Sequence, residues 1–136
     1  MARRKAREIA FKLLFEESFG NNTSEEIFEQ LFDNTEDKVA LSDADRVYIA
    51  QIRSFTADHH DEIDGIITQF AKGWVVTRMA RVDLALMRLA LCEILYMEDI
   101  PNAVSINEAV ELSKVYSADE GPAYINGILG AYVRSL

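Results

Sequence analysis

Arg3, Arg4, Lys5, Arg7 and Lys12 place five of the chain's fourteen basic side chains within its first 14 residues, where Glu8 is the single opposing acid. Cations on the first turns of a helix oppose the macrodipole, so clustering them there costs a little stability and is easier to understand if the charge serves binding. Lysines and arginines at this density can reach successive phosphates of a polyanion, and guanidinium planes can stack on unpaired bases. The competing reading is an ordinary solvated chain end. The setting makes the cluster informative: the 136-residue chain carries a formal charge of -9, and residues 16–64 hold fourteen acids against three bases. Positive charge concentrated on an acidic protein is a local electrostatic device. Between Lys72 and Arg88 four bases meet one acid, so a second positive region is expected to join the first on the folded surface.

The other chemistry-bearing residues point to no reaction. His59 and His60 are adjacent and cannot share one helix face, and no Cys or His stands at a ligand spacing from them, so surface histidines are expected and no metal site. Asp58, Asp61, Glu62, Asp64 and Gly65 lack the alternating oxygen positions and distal glutamate of a calcium loop. Cys92, the single cysteine, lies on an apolar stretch and suits the core better than a nucleophile; one thiol makes no internal disulfide. Gly127 and Gly130 form a lone GxxG better explained by helix packing than by a backbone clamp. No glycine-rich phosphate loop, Ser-His-Asp set or cofactor fingerprint is present, so the chain is read as a non-enzyme that needs no cofactor.

The elements that must hold the basic cluster are helical throughout. Ala6, Ile9, Ala10, Leu13 and Leu14 recur at three- and four-residue spacing, with Phe11, Phe15 and Phe19 as a second stripe, which predicts a first helix with a broad apolar face. Gly20 to Asn22 stop it, and Thr23 or Ser24 can cap a second helix ending near Asp33. Ser42 and Asp45 form a capping box with a short acid, leading into a third helix whose inward face is Val47, Tyr48, Ile49, Ile52 and Phe55. Ile63, Ile66, Ile67, Phe70 and Trp74 mark a fourth. After a break at Lys72 and Gly73, Thr77 can cap a long central helix carrying Met79, Val82, Leu86, Leu89, Ala90, Ile94 and Met97. Pro101 opens the next helix, and Asp119 is the expected cap of a last one, with Pro122 in its first turn and Tyr124, Ile125, Ile128, Leu129 and Tyr132 inward. An all-α single domain over residues 1–136, with about seven helices, is the fold expectation. No apolar stretch is long enough to span a bilayer and no signal-peptide pattern follows the basic residues, so a cytoplasmic protein is expected.

Three stretches resemble the NusB family of bacterial transcription antitermination factors. ARRKAREIAFKLLFE at residues 2–16 is similar to the family's arginine-rich first helix, and RVDLALMRLALCEIL at 81–95 to its central helix. The most specific match is IPNAVSINEAVELSKVYS at 100–117 with AYINGIL at 123–129. The resemblance implies two packed helical subdomains. It also implies binding of boxA-type single-stranded RNA together with the ribosomal protein NusE, the pair then acting on the RNA polymerase antitermination complex. By position it assigns Arg3, Arg4, Lys5 and Arg7 to the RNA-binding segment, Tyr116, Glu120 and Tyr124 to the same RNA surface, and Phe15 and Asp83 to the NusE surface. Gly121, Pro122 and Ala123 depart from the polar or basic residues that other members often carry there.

Independently of the family, an aromatic such as Tyr124 near a basic helix end is a sensible stacking platform, its alternative being a core tyrosine. Asn107 and Glu108 are expected to be structural, bridging helices or capping backbone groups. Four or five phosphate contacts would give a log-log salt slope of about -3 to -3.5. Replacing Arg4 and Arg7 by glutamate is expected to abolish RNA binding with melting unchanged. The rivals are a non-catalytic helical protein-binding adaptor, whose acidic 16–64 surface could meet a basic partner, and an RNA methyltransferase domain, for whose catalytic part the chain has no room. Helical spacing decides neither for a monomer nor for a homodimer.

Overall fold

The computed structural model describes residues 3–18, 41–71 and 79–136. Among the described residues there are six helices and no strand: α1 (Arg3–Glu17), α2 (Asp43–Asp58), α3 (His60–Phe70), α4 (Arg81–Tyr96), α5 (Asn102–Tyr116) and α6 (Gly121–Arg134). The expected helix ending near Asp33, the break at Lys72 and Gly73, the Thr77 cap, and the inward placements of Phe19 and Trp74 lie outside the described residues.

α4 is the hub. Ten of its sixteen residues are buried, more than a single apolar stripe would account for, and it packs against each of the five other described helices. α1 packs on α2 as well as on it, α5 on α6 as well as on it, and α3 joins α2 and α6. One contiguous cluster of buried side chains runs through all six helices, with Leu13, Ile52, Ile67, Leu86, Leu91 and Leu129 fully enclosed. Each such side chain contributes about 1.5–3 kcal/mol relative to exposure. No described helix is long and apolar enough to cross a membrane.

Local sequence signals explain most boundaries. Ser42 caps α2, its Oγ accepting from the Asp45 N–H at 3.1 Å while Asp45 Oδ2 accepts from the Ser42 N–H at 3.2 Å. Pro101, at φ -60° and ψ 141°, stands just before α5 and cannot continue the preceding chain as helix. Three expectations differ. Val47 is 56% exposed, because the inward face of α2 narrows to Tyr48, Ile49 and Ile52. α4 begins at Arg81, so buried Met79 precedes it. α6 begins at Gly121 with Glu120 at the cap position and no side-chain cap; Asp119 does not fill that role.

Cross-helix pairs fix direction. Arg7 meets Glu93 and Arg81 meets Ser18, so α1 and α4 are antiparallel; Ser105 meets Glu93 and Ser117 meets Asp83, so α5 is antiparallel to α4 as well. α1 and α5 therefore run the same way, side by side, which lets residues more than 100 positions apart line one seam.

Candidate functional site

That seam carries the basic cluster, and the structure divides the cluster in two. The Arg7 side chain is 8% exposed and turned inward: Nε donates to Glu93 Oε2 at 2.8 Å and Nη2 to Glu93 Oε1 at 3.2 Å. Glu93 also accepts from the Tyr48 hydroxyl and, at 2.8 Å, from Ser105 Oγ. Four helices thus meet on one carboxylate whose acceptor sites are filled, which is the condition under which a buried charge is tolerated. Burial opposes the Arg7 charge, but the hydrogen bonds and charge of Glu93 outweigh it and raise its pKa further. Burial and Glu93 likewise raise the Tyr48 pKa, so the phenol stays a donor. Arg7 is therefore a packing residue, and the expectation that it could be reversed in charge without loss of melting is corrected: that change would set two carboxylates against each other inside the core.

Arg4 is the exposed half. Its side chain is 69% exposed, and it forms a bidentate pair with Glu108 of α5, Nε to Oε1 at 3.0 Å and Nη2 to Oε2 at 2.8 Å. The hydrogen bond from Arg4 holds the Glu108 carboxyl below its ordinary range against the opposing effect of burial. Arg7 Nη1 stands 3.6 Å behind the same carboxylate. Lys5 pairs with Glu8 at 2.9 Å one turn along. The backbone of Arg3 opens α1.

Tyr116, at the end of α5, closes the other end of the seam. Its hydroxyl donates to Glu8 Oε2 at 2.7 Å, its ring packs on Phe11 at 5.1 Å, and Lys12 Nζ sits over the ring at 5.7 Å. Burial and the Glu8 carboxylate push the Tyr116 phenol up to about 12. Glu108 and Tyr116 are eight residues apart on α5, which at 1.5 Å per residue is about 12 Å. Arg4, Lys5 and Lys12 therefore form a row of cations roughly that long, the first two ion-paired with Glu108 and Glu8, with a tyrosine at its far end.

The remaining candidates gather elsewhere. Glu120 is exposed at the start of α6. Tyr124 is half-buried on the first turn of α6, and its buried hydroxyl has no hydrogen-bond partner among the described residues. Burial and then the Asp83 charge raise its pKa, so its electrostatic neighbour is an acid on α4. Asp83 is itself buried and accepts from Ser117 Oγ. Phe15 is half-buried against Phe11, ring centroids 6.3 Å apart. The Arg81 Nη1 to Ser18 carbonyl bond, 2.8 Å, brings the end of α1 to the start of α4, so Phe15 and Asp83 lie toward the same end of the molecule. Gly121 has a steric reason: a Cβ there would run into Ser117 Oγ, stand 2.6 Å from Ser117 Cβ and press on Asp83 Oδ1 at 3.2 Å.

The histidines and the cysteine are accounted for by packing. The His59 ring stacks on Tyr96 at 4.3 Å, and His60 Nε2 lies 3.3 Å from Asp64, which Arg88 holds bidentately. Burial pushes the Cys92 thiol up to about 12, far from a reactive thiolate. Sequence reasoning passed over Glu93, counted Lys12 in the basic cluster without a role of its own, and read Glu108 as structural only. The available signal was that Glu93 is the one charged residue between Arg88 and Glu98 on an otherwise apolar stretch.

Comparison with known proteins shows which chains this sequence and fold are similar to. The sequence pattern of the NusB family matches residues 4–134. The transcription antitermination protein NusB of Clostridium novyi (strain NT) is 40% identical over 135 residues, covering 99% of this chain and 100% of its own. That of Acetivibrio thermocellus is 43% identical over 134 residues, covering 98% and 90%. The structure of T. maritima NusB superposes with a TM-score of 0.80 at 34% identity, covering 97% of this chain and 90% of that one. A chain from the complex of antitermination factors NusB and NusE with double-stranded RNA shares the fold, with a TM-score of 0.85 at 22% identity over 99% of this chain and 98% of that one.

Proposed function

This chain belongs to the NusB family of transcription antitermination proteins, and we propose that it does so as a cytoplasmic, non-catalytic factor whose α1–α5 seam binds boxA-type single-stranded RNA. The observation that carries the reading is the row of Arg4, Lys5 and Lys12 beside Tyr116, three cations against the carboxylates of Glu8 and Glu108 on a protein whose net charge is -9. A chain this acidic repels RNA at long range, so a short cationic track both permits binding and fixes where it occurs. Arg3 belongs to the same basic segment of the sequence. Arg7 contributes by holding α1 in register, and Tyr116 by fixing Glu8 and Lys12, whatever else its ring touches. Glu120 and Tyr124 continue the RNA surface past the end of α5.

In this reading residues 1–136 act as one unit, and NusE, as in the complex that shares this fold, is the protein partner. Phe15 marks its surface toward one end of the molecule, where Asp83, buried, acts through its bond from Ser117. Protein and RNA together then engage the RNA polymerase antitermination complex. The test is a titration of boxA RNA with and without NusE, for the natural chain and for Arg4→Glu. RNA binding that NusE strengthens and Arg4→Glu removes, with unchanged helical content, supports the reading. NusE binding with no sequence preference for RNA would favour the protein-binding adaptor instead.

A further inference from the structure

Glu108 is an acid in the middle of a cationic seam, and charge counting alone gives it the wrong sign for polyanion binding. Its geometry gives it another role. It pairs with Arg4 through the Nε–Nη2 edge of the guanidinium, leaving the Nη1 side of the fork outside the pair, on a side chain that is 69% exposed. The carboxylate is itself held. Its side chain is 11% exposed, Arg7 Nη1 stands 3.6 Å from Oε1, and Arg7 is locked in turn by Glu93, Tyr48 and Ser105. Alternating charges thus lead from a fixed point in the core, through Glu93, Arg7 and Glu108, to a guanidinium at the surface.

An arginine on the opening turn of a helix would otherwise sample many rotamers, and ordering it on binding costs side-chain entropy. An arginine whose one edge is already clamped presents the other in a fixed plane, matched to two oxygens of a phosphodiester. Resting on the RNA-binding reading above, we infer that Glu108 is a positioning residue for that function: it holds the Arg4 fork with its outer edge toward solvent so that it receives an RNA phosphate pre-organised. Removing this negative charge therefore weakens the binding of a polyanion.

The experiment is a titration of single-stranded boxA RNA against the full chain at one fixed salt concentration, with Arg4→Ala, Glu108→Gln, the double variant, Arg4→Lys and Glu111→Gln. Glu111 serves as the charge control. It lies one turn further along α5, and its carboxylate is hydrogen-bonded by Lys114 at 2.6 Å and acts on Arg4 through its charge, without clamping the fork. The expected result is a three- to tenfold loss of affinity for Glu108→Gln, no further loss when it is added to Arg4→Ala, and an unchanged or slightly tighter Kd for Glu111→Gln. Arg4→Lys keeps the charge but not the fork, so it loses affinity nearly as Arg4→Ala does.

If Arg4→Ala weakens binding but Glu108→Gln tightens it or leaves it unchanged, the positioning role is overturned and the RNA reading stands. If Arg4→Ala has no effect, both fall. A loss of affinity from Glu108→Gln that persists in full in the Arg4→Ala background also overturns the proposal, since Glu108 would then act through something other than Arg4.

Discussion

Arg7 and Glu93, 86 residues apart in sequence, meet as a bidentate ion pair between α1 and α4 with side chains 8% and 1% exposed. Removing one member of such a pair leaves the other charged and desolvated, which typically costs about 3–5 kcal/mol, whereas replacing both by apolar groups is often close to neutral. Arg7→Ala should therefore lower the free energy of unfolding by about that amount in a urea titration. Arg7→Met combined with Glu93→Leu should lose less than the two single changes added together. Additive losses would mean that the pair is not coupled in the way its geometry requires.

Because Arg7 faces inward, RNA affinity should depend on salt less steeply than five cations imply. Three to four contacts from Arg3, Arg4, Lys5 and Lys12, at roughly -0.7 per phosphate for single strands, give a log-log slope of about -2 to -3. Measuring the Kd for boxA RNA between low and moderate salt checks this. Lys12→Ala should flatten the slope by roughly 0.7, and a slope near zero would remove the seam as the RNA site.

How much of this was legible in the sequence follows from the range of each interaction. The α1 stripe of Ala6, Ile9, Ala10, Leu13 and Leu14 is buried as its spacing predicts, and the Ser42–Asp45 box and the break at Pro101 stand where local chemistry puts them. Those signals reach only a few residues. The basic cluster was equally visible as a run of residue types, but its division into inward Arg7 and outward Arg4 was not. Arg4 and Arg7 are three apart, close to one helical turn, so α1 alone does not distinguish them. Glu93 on α4 and Glu108 on α5 do, and which acid each arginine reaches depends on α1 and α5 running in the same direction along α4. Neither the spacing within α1 nor the composition of α5 carries that information.

Gly121 sits in a close approach whose steric cost can be measured. Its hydrogen faces Ser117, whose hydroxyl donates to Asp83. Gly121→Ala would force Ser117 to move and strain the start of α6, a crowding that typically costs about 1–3 kcal/mol. Ser117→Gly removes the atoms that the new methyl meets, at the expense of its own bond to Asp83. The double variant should therefore be more stable than the sum of the single losses predicts, and thermal melting of the four proteins reads this directly.

The seam also sets a pH dependence. The carboxyl of Glu108 is held below its ordinary value of 4.5 by its hydrogen bond from Arg4, which outweighs burial; for Glu8, burial raises the value and the bonds from Lys5 and Tyr116 overcome it. A carboxyl whose pKa is lower in the folded than in the unfolded state binds fewer protons when folded, so its contribution is present in full above the unfolded value and is lost as pH falls through the folded one. Stability should thus be level near neutrality and decline below about pH 4.5, as both groups protonate and α1 loosens from α5. Glu108→Gln carries no titrating group at that position. Compared with the natural chain it should be less stable at pH 7, and the gap between the two should narrow as pH falls below about 4.5 and through the lowered folded-state value. Denaturant midpoints measured across that range test the assignment. A gap that stays constant with pH would show that the Glu108 carboxylate does not contribute through its charge.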